Sequence, residues 1–466
     1  MSQARVTRSF LALGSGDALA RLIAFGAAVY VGRTLGPAMY GILTFATGVL
    51  LYFKNVTECG IDLLGIRHVA EDHGRIELQA PALMGVRLVV GIALSVAICL
   101  FARHVLPQPD ATVFALYSLT LIVIGVDTRW IHLGLHSSRA VAIARTAGEL
   151  SLLAIVLATV RSEGDLARVP MAQVLGDVLT AAILFFVLRS MGFRVRPRLD
   201  WKTSRPVLAR SWPLVANVLL GLTIYNSDLF FLRFLRDAQA VGWYSAAYQL
   251  ISFLINLASA YSLSLLPALA RLASERAERD AMHATSTAQS FAVSLPIAVG
   301  GCILGPAIIA AVFGPEYVPA GPALAILIVS IPFTMSKEID LISLLVSGRE
   351  QTIMRMTAAA VAVNLTLNLA LIPRYGIGGA AIATVSTEAL RAGFARWCAA
   401  REGYAWTGWG RRWKIVAASA AMAGVLLATN LPFYVELPLG TLVCLGVLAL
   451  VGAVRFEAGK FPSLHV

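Results

Sequence analysis

The chain has 466 residues, of which 58% are hydrophobic and only 14% charged. Its mean hydropathy is +0.76, and stretches such as 88–101, 416–427 and 437–454 are apolar nearly all round, which excludes an ordinary soluble domain whose helices are apolar on one stripe. The net charge of +12 does not indicate nucleic acid: with the N-terminus inside, the inner loops carry about 24 Lys and Arg and the outer loops about seven, the asymmetry that orients membrane proteins, and no single basic folded face is present.

In chain order, the first span is expected at 10–32. Its basic head and the triplet Ala18-Leu19-Ala20 imitate a secretory signal, but the preceding apolar run is short and broken by Gly14-Ser15-Gly16-Asp17, while a longer run continues to Val31; it therefore reads as a retained span. Further spans are predicted at 41–64, 80–102, 112–135, 140–160 and 170–190. Residues 191–212 form the longest and most basic inner connector, and spans resume at 213–235, 242–268, 287–312, 322–347, 354–373 and 379–400. A last pair, 415–433 and 437–454, follows a segment whose Trp406, Trp409 and Trp413 suit a belt at headgroup level. The expected architecture is all-α, a polytopic membrane protein of about fourteen transmembrane helices. Its expected parts are an N-terminal six-helix lobe (1–190), a basic cytoplasmic connector (191–212), a C-terminal six-helix lobe (213–400), and an additional helix pair with a short cytoplasmic tail (401–466).

The halves share faint internal similarity. Ser137-Ser138-Arg139 with Arg145 recurs as Ser347-Gly348-Arg349 with Arg355, and the segment from Leu35 to Gly41 is echoed by Leu235 to Tyr244; equivalent placement favours a duplicated bundle. The five cysteines, Cys59, Cys99, Cys302, Cys398 and Cys444, lie in apolar stretches without CxxC spacing, so packing is their expected role.

About ten acids and about seven bases fall inside the apolar spans, where a charge costs roughly 2.5 to 3.5 kcal/mol on insertion scales. They must line a watery interior or neutralise one another. Lys54, Glu58 and Asp62 form a stripe at i, i+4 and i+8; Asp17 and Arg21, and Arg145 and Glu149, are four apart; Glu388 and Arg391, and Lys337 and Asp340, are three apart. Self-neutralising pairs are one reading of these spacings. Cavity-lining bases with cation-binding acids are the other. Arg87 and Arg129 lack an opposite charge at favourable spacing, since Asp127 stands two positions from Arg129 and is expected to point elsewhere, although Arg87 could also snorkel to the interface. Asp177 and Asp228 lack a basic partner at helical spacing, and Asp228 with Tyr225 and Asn226 suits a sodium ion, a proton, sugar hydroxyls or a plain interhelical hydrogen bond. Pro332 is the expected hinge, one to two turns before Lys337, Glu338 and Asp340.

Segments of the chain then carry a family resemblance. Gly32-Arg33-Thr34-Leu35-Gly36-Pro37-Ala38-Met39-Tyr40-Gly41 resembles the opening of bacterial polysaccharide flippases, and Phe313-Gly314-Pro315-Glu316-Tyr317, Asn364, Asn368 and the run from Leu371 to Thr384 resemble their second-half signature. The resemblance implies membership of the multidrug, oligosaccharidyl-lipid and polysaccharide exporter superfamily, with two six-helix lobes paired around a central cavity. It further implies a flippase, not an enzyme, in the bacterial cytoplasmic membrane with both termini cytoplasmic. The implied cargo is undecaprenyl-pyrophosphate-linked oligosaccharide for O-antigen, capsule or exopolysaccharide, moved by alternating access. Expected cargo contacts are Arg21, Lys54, Arg87, Arg129, Arg145, Tyr225, Asn226, Lys337 and Arg391; expected coupling-ion ligands are Asp17, Glu58, Asp62, Asp177, Asp228 and Asp340. No cofactor or metal is expected beyond a coupling Na+ or H+. The bilayer is an expected partner, and polysaccharide polymerase and chain-length proteins are conceivable ones. Competing readings are an exporter of small cationic compounds, whose cavity should be mostly acidic, and a lipid II flippase, separated only by cargo. A membrane polymerase or ligase would want a sizeable outer loop with catalytic residues, whereas loops such as 103–111 and 161–169 are short and carry no catalytic constellation.

Overall fold

A chain in hydrocarbon has no water to satisfy its amides, so it bonds them within helices, and that is the structure seen in the computed structural model. It describes residues 3–72, 74–272, 275–404, 412–429, 431–452, 454–455 and 463–464, with side chains described from residue 18 up to 452, residues 63, 75 and 225 excepted. Two compact units divide the chain, Met1–Asn226 and Ser227–Val466.

In the first unit, α1 (Gln3–Glu58) is broken at Gly36, whose φ of 71° and ψ of 170° turn the chain before Pro37 opens the second half. It is followed by α2 (Ile61–Glu71), α3 (Arg75–Val105), α4 (Asp110–Gly125), α5 (Arg129–Gly134), α6 (Ser138–Thr159) and α7 (Arg168–Ser190). The next helix, α8 (Trp201–Leu235), runs across the division between the units. The second unit continues with α9 (Ala238–Arg271), α10 (Arg276–Phe313), α11 (Gly321–Leu327), α12 (Ser330–Val346), α13 (Glu350–Arg401), α14 (Trp413–Ala428) and α15 (Phe433–Leu450). A two-residue pairing of Val454–Arg455 with Ser463–Leu464 follows.

Among the described residues, ten helices are long and apolar enough to cross a membrane, and a pair bent by 45°, Pro315–Leu327 with Ser330–Val346, makes an eleventh span. At 1.5 Å per residue the 52 residues of α13 would reach about 78 Å, more than twice the ~30 Å of hydrocarbon. It breaks at Gly376 (φ 56°, ψ −131°), as α1 does at Gly36. With both counted as two spans, and with the shorter apolar α14 added, the architecture holds about fourteen.

Each break has a local cause. At Gly376 the Arg236 guanidinium donates to the carbonyls of Ile372 (3.1 Å) and Pro373 (2.7 Å), taking up acceptors that a continuous helix would have used. The similar segments detected in the two halves both form the turn before a helix: His136 (φ 57°) precedes α6 and Gly348 (φ 69°) precedes α13.

One expected span is corrected. The second does not run on to 64, because Cys59 (φ 54°) and Gly60 (φ 64°) end α1 and start α2 in a new direction. The fourth, expected at 112–135, is present as Asp110–Gly134, with a local break at 126–128 between α4 and α5. The core of the first unit gathers Ile61, Ile76, Leu83, Trp130, Leu188, Val195 and Val207, so the short α2 and α5 and the segment after α7 are all packed rather than dangling. In the second unit Ile415, Met422, Cys444 and Leu448 pack with Ala292 and Leu304, which anchors the C-terminal helix pair on α10. Of the expected aromatic belt, Trp406 and Trp409 lie outside the described residues, and Trp413 is exposed.

Candidate functional site

In the first unit, α1, α4, α6 and α7 enclose a cavity of about 290 Å³. Four of the expected site residues, Lys54, Arg129, Arg145 and Asp177, line it together with Asp127 and Glu149. The two acid-bearing helices close on each other through glycine: a Cβ on Gly148 would lie 2.0 Å from Thr180 Oγ1 and 2.8 Å from the Gly176 carbonyl. Small residues of this kind let helices approach where lipid supplies no hydrophobic drive. Gly148→Ala is therefore expected to push α6 from α7, costing roughly 1–3 kcal/mol by overpacking; a thermal denaturation midpoint in detergent unchanged from the parent would contradict it.

Asp177 accepts from Gln173 at 3.1 Å, one turn away on its own helix, and the main cation acting on it is Lys54. Lys54 has no carboxylate within ion-pair distance among the described residues. Glu149 feels Arg145, Asp177 and Lys54. The cavity thus mixes both charges, with an ammonium available to an incoming anion.

One wall continues into a partly buried charge cluster that the spacing of the sequence did not anticipate. Since the chain turns at Cys59–Gly60, Asp62 does not extend the Lys54–Glu58 stripe along one helix. It returns from α2 to meet the bases: Arg87, 1% exposed, donates through Nη1 to Asp62 Oδ1 (3.2 Å) and through Nη2 to the Ile124 carbonyl (3.1 Å). Arg87 does not snorkel. Arg129 Nη2 lies 3.5 Å from Glu58, 3.6 Å from Asp62 and 3.7 Å from Asp127, so Asp127 does not point elsewhere. It also accepts from the Arg129 backbone N–H at 2.8 Å, a short-range turn contact that places both side chains on one side. Of the remaining residues in this half, Arg21 is exposed and the Asp17 side chain lies outside the described residues.

The second unit contains three polar clusters. Lys337, fully buried, is 2.5 Å from Glu388, whose other oxygen is 2.5 Å from Arg391; Thr334 donates to the same carboxylate at 3.0 Å. The expected Lys337–Asp340 pair is replaced by this arrangement because α12 presents Lys337 to α13. Asp340 faces His283 (3.0 Å) and Arg396 (2.8 Å) instead. Pro332 stands in the first turn of α12, directly after the 45° bend, and beside Asp340 and Arg396 it lines a second cavity of about 360 Å³. Its missing N–H costs least in a first turn.

Asp228, 1% exposed, is the centre of the third cluster. Its Oδ2 accepts from Tyr244 and from Thr384 (2.7 Å), and its Oδ1 from Asn368 Nδ2 (2.5 Å). Asn368 also donates to Asn364 (3.1 Å), which accepts from Ser227 (2.6 Å) and donates to Thr387 (3.4 Å). The Asn368 side-chain oxygen, buried, has no donor. Among the described residues no Lys, Arg or His pairs with Asp228. The expected neighbours differ: Asn226 bonds back to the Leu222 carbonyl at 3.0 Å, and the Tyr225 side chain lies outside the described residues. No group of three or more His, Cys, Asp or Glu suited to a metal occurs among the described residues.

Comparison with known proteins places this arrangement in a family. The family described as polysaccharide biosynthesis protein matches residues 6–273, and the family described as lipid II flippase MurJ matches residues 140–447. A Shigella dysenteriae protein assigned as an O-antigen transporter is 21% identical over 371 residues, covering 78% of this chain and 91% of its own. Among solved structures, the lipid II flippase MurJ in an inward closed conformation aligns with a TM-score of 0.78 at 12% identity, covering 94% of this chain and 98% of that one. An inward-facing multidrug resistance MATE family transporter of the MOP superfamily aligns at 0.64 with 14% identity, covering 89% and 96%. These structural likenesses establish the fold.

Proposed function

The chain belongs to the polysaccharide biosynthesis protein family, among the polysaccharide flippases of the MOP superfamily, and we propose that its cargo is an undecaprenyl-pyrophosphate-linked oligosaccharide moved by alternating access. It is a multi-pass membrane transporter of lipid-linked polysaccharide precursors and not an enzyme. The single observation that supports the finer reading is the cavity of the first unit, where Lys54, Arg129 and Arg145 face one space. Ammonium and guanidinium groups held in a partly dry pocket attract phosphate, and Asp177, Glu149 and Gln173 offer partners for sugar hydroxyls. An exporter of small cations would gain little from three bases there. The membrane in this reading is the bacterial cytoplasmic membrane, with both termini in the cytoplasm as the Lys and Arg asymmetry suggests.

The test is reconstitution in liposomes with fluorescent lipid-linked oligosaccharide on one leaflet. The reading expects externally added lectin to gain access with time in vesicles holding the protein and not in empty ones. Transport of a small lipophilic cation without transport of the oligosaccharide would contradict it.

Asp228 supplies a place for the coupling ion. Its carboxylate, the free oxygen of Asn368 and the Thr384 hydroxyl are all buried in one cluster, and a buried carboxylate with no basic partner among the described residues suits a bound cation or proton. Asp228→Asn keeps the shape and removes the charge. Imposing a sodium or proton gradient should accelerate lipid flipping by the parent protein, whereas the variant should run at its no-gradient rate under both; an undiminished gradient response in the variant would remove Asp228 from coupling.

A further inference from the structure

A third cavity, about 600 Å³, opens where α3 begins and α7 ends; it shares no lining residue with the charged cavity of the first unit, and Arg189, Arg194, Arg196 and Arg198 line it together with Glu77 and Asp200. We propose that this pocket receives the headgroup of a membrane lipid bearing two phosphates. The assignment does not rest on the transport reading.

The connector is shaped for this. After α7 the chain leaves regular secondary structure over 193–200. Val195 is buried in the core of the first unit, whereas Arg194, Arg196 and Arg198 are exposed. The segment is clamped: the Arg198 N–H donates to the Pro81 carbonyl at 2.8 Å, and Gly85 of α3 has no room for a side chain because a Cβ there would lie 2.3 Å from the Arg198 carbonyl. Three guanidinium groups are thereby held on a fixed support.

None of the four arginines has an ion pair or side-chain hydrogen bond among the described residues. Asp200 is already engaged as the cap of α8, accepting from the Thr203 N–H (3.2 Å) and hydroxyl (2.9 Å), and the Thr203 amide holds its carboxyl below the usual range. Glu77 and Asp200, the latter acting on Arg198, are the two acids set against four positive charges. Guanidinium forks match phosphate oxygens two by two, so four of them suit two phosphates better than one. The depth is also right. The 31 residues of α3 extend about 46 Å against ~30 Å of hydrocarbon, which leaves its first turns at headgroup level. Leu78, which lines the pocket, and Phe186 and Leu199, next in sequence to lining residues, are largely exposed and give acyl or prenyl chains an apolar surface. Basic pockets between helices at this level recognise anionic lipid headgroups.

The chemistry is shared by cardiolipin, a bulk lipid, and by undecaprenyl pyrophosphate, a carrier lipid. Titration of the purified full chain in detergent with each, and with single-phosphate phosphatidylglycerol, separates the sources. The triple variant Arg194→Gln, Arg196→Gln, Arg198→Gln should bind at least one of the two-phosphate lipids about a hundredfold more weakly. A control that removes equal charge from α8, Lys202→Gln, Arg205→Gln, Arg210→Gln, should stay within about threefold. Loss of cardiolipin alone identifies the bulk lipid, loss of undecaprenyl pyrophosphate alone the carrier, and both outcomes support the site. Equal affinity of parent and triple variant for both lipids, an equal loss in the control, or phosphatidylglycerol bound as tightly as the two-phosphate lipids would overturn it. If the triple variant does not fold, Arg196→Gln alone should show about a fivefold loss, and no loss there counts against the proposal.

Discussion

Replacing Glu388 by Gln is expected to destabilise the second unit by about 3–5 kcal/mol, the cost of leaving buried charges without their counter-ion. Glu388 is 3% exposed and stands between Lys337, fully buried, and Arg391. The carboxylate binds both, at 2.5 Å each, while Thr334 supplies a further hydrogen bond. Gln preserves the volume but leaves two cations facing each other through a neutral amide. Glu338 also lies 3.7 Å from Lys337. Adding Lys337→Met to the same chain should restore most of the loss, because a buried charge is removed together with its need for a partner. Thermal unfolding in detergent of the single and double variants measures both steps. A single variant as stable as the parent, or a double variant worse than the single, would show that the cluster does not hold α12 to α13.

The segments that identify the family were legible because their chemistry is local. The turns at Gly36 and Gly376 need a backbone that only glycine adopts freely, and both appear in the sequence beside a proline or a further glycine. The charge clusters were less legible, for a different reason. Spacing along one helix identified Glu388 with Arg391, which do pair. It could not anticipate Lys337 reaching Glu388 across fifty-one positions, nor Asp340 meeting His283 and Arg396. Partners between helices depend on how the helices are rotated, and that information is spread over the packing of the whole unit. Asp62 failed for a subtler cause: Cys59 and Gly60 adopt left-handed angles inside what reads as one apolar run. Gly60 was the available signal. The Asn364–Asn368 pair at i, i+4, followed by Thr384 and Thr387, is likewise a sequence signal of a polar face toward Asp228.

Lys54→Ala is expected to slow lipid flipping by about ten- to a hundredfold, the range for losing a hydrogen bond to a charged group at about 1.5–3 kcal/mol. Lys54 lines the first unit's cavity without an ion pair among the described residues, so the fold does not require its ammonium as it requires Arg87, which ties Asp62 to the Ile124 carbonyl. Removing it should therefore depress transport while leaving thermal stability near that of the parent. Arg129→Ala should depress both, because Glu58, Asp62 and Asp127 would lose a shared counter-ion. The account stands on the charged cavity being where polar cargo is handled. Its most direct measurement is the initial rate at which lectin gains access to fluorescent lipid-linked oligosaccharide in liposomes carrying equal amounts of folded parent protein or Lys54→Ala. The cavity account predicts a rate at least about tenfold lower for the variant; equal rates would contradict it.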